Sequence, residues 1–393
     1  MLESLWSLPR TVWLLGLISL CNDSTSELIY PLVPLFVTSV LLAGPRALGL
    51  IEGVAEASAS LLKLASGVLA DRLGHTRGWV VGGYALAAIS RPLFYLAGSW
   101  PVVLLLRFAD RAGKGLRSSP RDALLAGAVA PQQRGLAFGV HRAMDNAGAV
   151  VGPLAAAWLL AHGMALREVF LWALLPGALT VALALALREP PALAPVARAT
   201  PFSWRLGALP PALRRYLLVL ALFTLGNASN MFLLLRARQL GLHADQVALL
   251  WALTSGVAAL LSTPLSGLSD RIGRVRLIVL GWVLYGLLYL LLGVDGFHTL
   301  LLWPLFAAYG VFLAATEGAE KALVADLAPD ALRGTAYGWY NLVAGAMLLP
   351  ASFVFGTLEQ GVGAFVAFAF ASACAILAAA LLPLWALRGA AAR

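Results

Sequence analysis

Two short stretches decide the fold: Gly67-Val68-Leu69-Ala70-Asp71-Arg72-Leu73-Gly74-His75-Thr76-Arg77 and Gly267-Leu268-Ser269-Asp270-Arg271-Ile272-Gly273-Arg274-Val275-Arg276. Each is a brief charged turn between two long apolar runs. Asp71-Arg72-Leu73-Gly74 returns as Asp270-Arg271-Ile272-Gly273 at an offset of 199 residues. Arg134-Gly135 returns as Arg333-Gly334, and Ala137-Phe138-Gly139 as Ala336-Tyr337-Gly338, both at the same offset. Three matches at one spacing mark two homologous halves.

The runs around these turns fall at 11–40, 47–70, 78–98, 101–128, 135–161, 168–188, 215–240, 246–269, 277–294, 299–327, 334–358 and 362–387. Of the 393 residues, 61% are hydrophobic and 12% are charged. Soluble domains carry about 25% charge, so a soluble globular, disordered or fibrous chain is excluded. Runs this long and continuous read as helices, since a lipid-embedded backbone must satisfy its own hydrogen bonds. The expected architecture is an all-α integral membrane protein. Twelve transmembrane helices form two pseudo-symmetric six-helix bundles, 1–188 and 215–393, joined by a Pro-, Ala- and Arg-rich linker at 189–214.

The net charge is +9, without any long basic run, which argues against a nucleic-acid partner. The surplus sits in loops. With a cytoplasmic N-terminus, inside loops and termini carry fifteen arginines, and outside loops keep only Arg46 and Arg167. That bias places both termini in the cytoplasm and the chain in the cytoplasmic membrane. Cys21 and Cys374 read as isolated membrane-embedded thiols, and the first run reads as a retained helix instead of a cleaved leader.

Ionisable groups inside a bilayer are costly, so they usually pair or face a water-filled path. Segment 1 carries Asp23 and Glu27 at i,i+4, on one helical face. Asp23 lies roughly 18 Å in from the segment's start at 1.5 Å per residue. Segment 2 repeats the device with Glu52 and Glu56 and adds Lys63; segment 3 has Arg91, and segment 5 has Arg142 and Asp145. In segment 4, Arg107, Arg111, Lys114 and Arg121 form one cationic stripe, with Asp110 at i,i+4 from Lys114. Segment 7 offers Asn227, Asn230, Arg236 and Arg238. Segment 10 offers Glu317, Glu320 and Lys321, with Glu317 and Lys321 at i,i+4. The chain has three lysines, Lys63, Lys114 and Lys321, and all lie in these segments. Unlike arginine, a buried lysine can lose its proton.

On these residues the chain resembles a twelve-helix member of the major facilitator superfamily, in its bacterial proton-antiporter and efflux branch. The turn Gly67, Asp71, Arg72, Gly74 and Arg77, echoed by Asp270 and Arg271, is similar to the family's G-x-x-x-D-R-x-G-R-R gate motif. The resemblance implies a latch on the cytoplasmic side. Segment 5 carries Gly139, Gly148, Gly152 and Pro153, then Ala156-Ala157, similar to the G-x8-G-x3-G-P-x2-G-G pattern associated with exporters that run as antiporters. Segment 4 departs from the family's R-x-x-Q-G: Arg107 is followed by Asp110 and Arg111. The resemblance also implies that segments 1, 4, 7 and 10 line a central cavity, and the richest polar sets lie on those four.

Asp23, Glu27 and Glu317 are therefore the candidates for proton coupling. Glu56, Arg107, Asp110, Arg111, Lys114, Asn227, Asn230, Glu320 and Lys321 are candidates for the substrate cavity. The leading expectation is a monomeric secondary transporter in the lipid bilayer that exports a small molecule against protons. Organic-anion uptake or exchange through the segment 4 cations, and divalent-metal export through the segment 1 and 2 carboxylates, are alternatives. A non-transporting receptor is a fourth. Gly113-Lys114-Gly115 lacks the spacing of a phosphate-binding loop. The five histidines show no metal-ligand spacing, and no nucleophile–base set is present. No enzyme activity, cofactor or resident metal is expected.

Overall fold

The computed structural model describes residues 8–73, 77–130, 133–188, 206–296, 298–329 and 332–388. Regular structure there is helical throughout. In chain order the helices are α1 (Arg10–Ile29), α2 (Pro45–Leu73), α3 (Arg77–Ser90), α4 (Trp100–Gly127), α5 (Arg134–Ala161), α6 (Leu166–Leu185), α7 (Pro211–Gln239) and α8 (Ala244–Ile272). They continue as α9 (Arg274–Gly293), α10 (Leu302–Leu327), α11 (Arg333–Gly361) and α12 (Ala364–Leu381). The expected linker at 189–214 falls largely outside the described residues.

Among the described residues, eight helices are long and apolar enough to cross a membrane, α5 to α12. The four that precede them are diluted or short. Asn22, Asp23 and Glu27 interrupt α1; Glu52, Glu56 and Lys63 interrupt α2; and α4 carries the cationic stripe. The α-helical part of α3 has only 14 residues before Arg91, then tightens into a 3₁₀ turn at Pro92–Leu96.

Proline shapes the ends. Pro31 and Pro34 each remove a backbone donor after α1. The chain narrows to a 3₁₀ turn at Tyr30–Leu32, resumes at Val33–Leu35 and widens into a π turn at Phe36–Val40. Pro101 and Pro211 stand in the first turns of α4 and α7, where a missing N–H costs nothing. Gly273 joins α8 to α9 at φ +93°, in the left-handed region that side chains avoid. The glycine of the second charged turn is thus required by the reversal itself.

Two compact units are present. One draws on Met1–Leu42, Val54–Val196 and His243–Ala252, the other on Ala43–Gly53, Ala197–Leu242 and Leu253–Arg393. The first unit is dominated by the packing of α1 on α5 and of α3 on α4. Val12, Leu15, Ile18, Val80, Tyr84, Leu124 and Leu125 form an apolar core among these helices. In the second unit α9 packs on α12 and α10. Its centre is aromatic: Phe223 stacks on Trp282 at 4.4 Å, and Tyr285 on Tyr289 at 4.1 Å, with Tyr309, Phe312, Phe355 and Phe368 around them.

The helix α7 is broken. It runs Pro211–Gly226, opens at 227–230, and resumes at Met231–Gln239. Gly226, Asn227, Ser229 and Asn230 include poor helix formers whose side chains compete with the backbone. The opened backbone finds partners within the second unit. Tyr285 Oη donates to the Gly226 carbonyl at 2.8 Å, and the Ser229 N–H donates to Ser352 Oγ at 3.2 Å. Tyr309 Oη donates to Asn230 Oδ1 at 2.6 Å.

Candidate functional site

The charged groups of the first unit gather where α1, α3, α4, α5 and the middle of α2 meet. Asp110 of α4 is 1% exposed. Its Oδ1 accepts from Arg91 Nε at 2.9 Å, and its Oδ2 accepts from Arg107 at 3.1 Å. Arg91 also donates to the carbonyl and the side-chain oxygen of Asn22, at 2.9 and 3.0 Å. Arg107 is fully buried and lies 5.3 Å over the Tyr30 ring. Arg111 pairs with Glu56 at 2.8 Å. One carboxylate thus locks two guanidinium groups from different helices, and a second carboxylate holds a third. Buried charges need such partners. Arg91, read as one charge among several in the sequence, proves to be the tie between α1, α3 and α4.

Along α1, residues 21–29 are buried except Asp23 and Glu27, which are partly exposed. Asn22 Nδ2 donates to Asp23 Oδ1 at 2.7 Å. Glu27 accepts from Trp251 Nε1 at 2.8 Å, in the part of α8 that belongs to this unit, and Trp251 lies 5.2 Å from the Tyr30 ring. Lys114 is exposed and acts electrostatically on both Asp23 and Glu56. The expected i,i+4 contact between Asp110 and Lys114 gives way to the two arginines. Arg121 turns to the adjacent Asp122 at 2.8 Å.

The small residues of α5 lie against this face of α1. A side chain on Gly148 would meet the Leu20 carbonyl, Asp23 Cβ and the Ser24 nitrogen. One on Gly152 would meet the Ser24 carbonyl and the Leu28 nitrogen. Only glycine lets two backbones approach so closely. Gly139 has open space around its Cα. Pro153 follows inside the same helix.

In the second unit the partners are different. Glu320 is 8% exposed and accepts from Trp282 Nε1 at 3.0 Å and Tyr340 Oη at 2.9 Å. Its neighbour Glu317 is exposed and pairs with Lys321 at 2.9 Å, the spacing anticipated from i,i+4. Asn230 is tied to Tyr309, while Asn227 caps the first half of α7 through its backbone. Glu52 accepts from Ser229 at 3.2 Å, so the Glu52–Glu56 pair of α2 is divided between the two units. Arg236 closes the end of α9, donating to the carbonyls of Leu292, Gly293 and Val294 and pairing with Asp295 at 2.7 Å. This is a cap on a helix terminus, where cations and carbonyls attract.

Of the gate motif, Gly74, the surroundings of Gly67 and the side chains of Asp71, Arg72 and Asp270 lie outside the described residues. Arg77 donates to the Leu185 carbonyl at 2.8 Å, and Arg271 is exposed. Arg274, in the second copy, pairs with Asp326 of α10. Among the described residues no three His, Cys, Asp or Glu side chains converge as a metal site requires.

The sequence profile of the Major Facilitator Superfamily matches residues 14–236 and 216–392. An uncharacterised MFS-type transporter of Methanocaldococcus jannaschii is 33% identical over 386 residues, covering 95% of this chain and 94% of that one. The multidrug resistance protein MdtH of Aeromonas hydrophila is 27% identical over 337 residues, 84% of this chain and 83% of its own. The solved nucleoside transporter NupG shares the fold, with a TM-score of 0.80 at 13% identity over 95% of this chain and 99% of that one. With its repeated turn, its membrane-length helices and its interior charges, the chain belongs to the Major Facilitator Superfamily of membrane transporters.

Proposed function

We propose that this transporter exports a small molecule from the cytoplasm in exchange for protons. The observation that carries the reading is the crossing of α1 and α5. There, the glycine pattern associated with antiporters supports the one stretch of α1 whose only accessible side chains are the carboxylates Asp23 and Glu27. A carboxylate that alternates between a cationic neighbour and an apolar one changes its proton affinity. A tilt of α1 over the glycine seam, toward or away from Lys114, therefore links proton binding to alternating access. Glu317 and Lys321 form the corresponding exposed pair on α10. The likeness to MdtH, a multidrug resistance protein, supports export.

In this reading twelve helices cross the cytoplasmic membrane as two six-helix bundles, 1–188 and 215–393. The linker 189–214 and both termini are cytoplasmic, and the protein works as a monomer. The turns at Asp71-Arg72 and Asp270-Arg271 latch the cytoplasmic side. Anion exchange through Arg107 and Arg111 fits less well, because both guanidinium groups already serve Asp110 and Glu56.

Expression in a bacterial host stripped of its own drug exporters tests the reading. The chain should raise tolerance to at least one member of a panel of lipophilic cations. Asp23→Asn and Glu27→Gln should each abolish that gain without lowering the amount of protein in the membrane. Tolerance unaffected by both substitutions would overturn the proposal.

A further inference from the structure

The charged groups of α5 remain without a role in the account above. Asp145 is one turn before Gly148 and faces α1. Ser19 Oγ donates to Asp145 Oδ1 at 2.5 Å, and Asp23 is one turn beyond Ser19 on the same face of α1, so the two acids lie side by side at the crossing. The backbone explains the closeness: an added Cβ on Gly148 would lie 3.0 Å from Asp23 Cβ. The glycine seam sets the separation of the two acids.

Two ionised carboxylates have no hydrogen between them to share, since each is an acceptor only. They can be joined by a hydrogen bond only when one proton is present. The surroundings favour one and no more. Asn22 and Ser19 already donate to the pair from α1. Lys114 and Arg121 approach from α4, so at least one negative charge is balanced. Glu27 from α1 and Asp122 from α4 are the nearest other acids, and Arg142 is the other nearby cation on α5.

A further group points at the same spot. His141 precedes Asp145 by four residues, on the same face of α5. It is 4% exposed, it interacts electrostatically with Asp145, and its Nε2 has no hydrogen-bond partner. A buried ring nitrogen left unpaired is costly. Its unpaired Nε2 lies one turn from Asp145 toward the Arg134 end of the helix, where it can take up a proton once the acids part.

We infer that Asp23 and Asp145 hold a single proton between them, with His141 as its next acceptor along α5. This deepens the proton-exchange reading and depends on it for its role in transport, though not for its existence. When α1 and α5 part, the shared O–H···O bond is lost. The proton then passes to His141 Nε2, and two carboxylates are left facing Lys114 and Arg121. Asp145 is a proton-binding residue in this scheme, and Ser19 a positioning residue.

Infrared spectroscopy of the full-length protein in lipid tests the pair directly through the C=O stretch of a protonated carboxylic acid. The band should be present in the wild type near neutral pH and should shift in deuterium oxide. It should vanish in Asp23→Asn and equally in Asp145→Asn, and persist in Glu27→Gln. Ser19→Ala keeps both acids and removes one donor, so it should move the band without abolishing it. A wild type without the band, a band that survives Asp145→Asn, or a band unmoved by Ser19→Ala would overturn the inference. The spectrum needs no substrate. Gradient-independent export by a protein that shows the band would defeat the transport reading alone.

Discussion

Asp110 is the residue on which the first unit's electrostatics turn. It accepts from Arg91 and Arg107, and all three are at most 1% exposed. Removing one member of a buried pair leaves an uncompensated charge, which costs about 3–5 kcal/mol. Asp110→Ala should therefore lower the unfolding midpoint of the purified protein in mild detergent markedly. Removing Lys114, which is exposed, should leave it nearly unchanged. In the second unit, Glu320→Ala would orphan Trp282 Nε1 and Tyr340 Oη, at about 1–3 kcal/mol for each buried donor. Glu320→Gln, which retains an acceptor, should unfold closer to the wild type in the same assay. Local pairs were legible in the sequence. Glu317–Lys321 follows from helical spacing, and so does the shared face of Asp23 and Glu27. Of the partners of Asp110, Arg107 stands at i,i+3 on the same helix, but Arg91 was not legible. Spacing points to Lys114 one turn away, whereas the structure supplies Arg91 from another helix. Contacts between helices leave no mark in the spacing along either one.

At the scale of elements, α5 and α7 show what a pattern of residue types can and cannot say. The glycines of α5 announce a close crossing, and the structure supplies the partner, the backbone of α1 from Leu20 to Leu28. A methyl group on Gly152 has nowhere to go without moving that backbone, and overpacking of this kind costs about 1–3 kcal/mol. Gly148→Ala and Gly152→Ala should thus impair transport and lower stability. Gly139→Ala, at a position with open space, should change stability by less than about 0.5 kcal/mol and leave transport intact. Thermal unfolding and drug tolerance measured on the same three variants will show the contrast. The break in α7 had a weaker signal. Asn227 and Asn230 stood out as polar groups in an apolar run, yet the opening of the helix depends on partners outside it, Tyr285, Tyr309, Ser352 and Glu52. Membranes tolerate an open backbone only where protein or water satisfies it.

Across the whole molecule the repeat conserves the frame and exchanges the chemistry. The position 199 residues after Asp110 is Tyr309. Where the first unit builds arginine–carboxylate pairs, the second builds a tyrosine and phenylalanine cluster. The same offset carries His141 to Tyr340 and Arg121 to Glu320. The duplication was plain in the sequence because the turns Asp71-Arg72 and Asp270-Arg271 are polar interruptions in apolar runs. The division of labour was not, because helix interiors drift in sequence while keeping their packing. The proposed topology has its own check. The native thiols Cys21 and Cys374 are buried. A cysteine placed at Arg198 should therefore react with a membrane-impermeant maleimide only in inside-out vesicles, and one at Arg46 only in right-side-out vesicles.

The central claim is that substrate and protons move in opposite directions through a path that requires the α1 carboxylates. Proteoliposomes loaded with a pH-sensitive dye, with ethidium as the probe cation, test it in one recording. A pH jump should drive ethidium movement, and an ethidium gradient should drive an opposite change in internal pH. Both signals should be present in the wild type and lost together in Asp23→Asn and Glu27→Gln. Ethidium flux that ignores the proton gradient and persists in both variants would contradict the account.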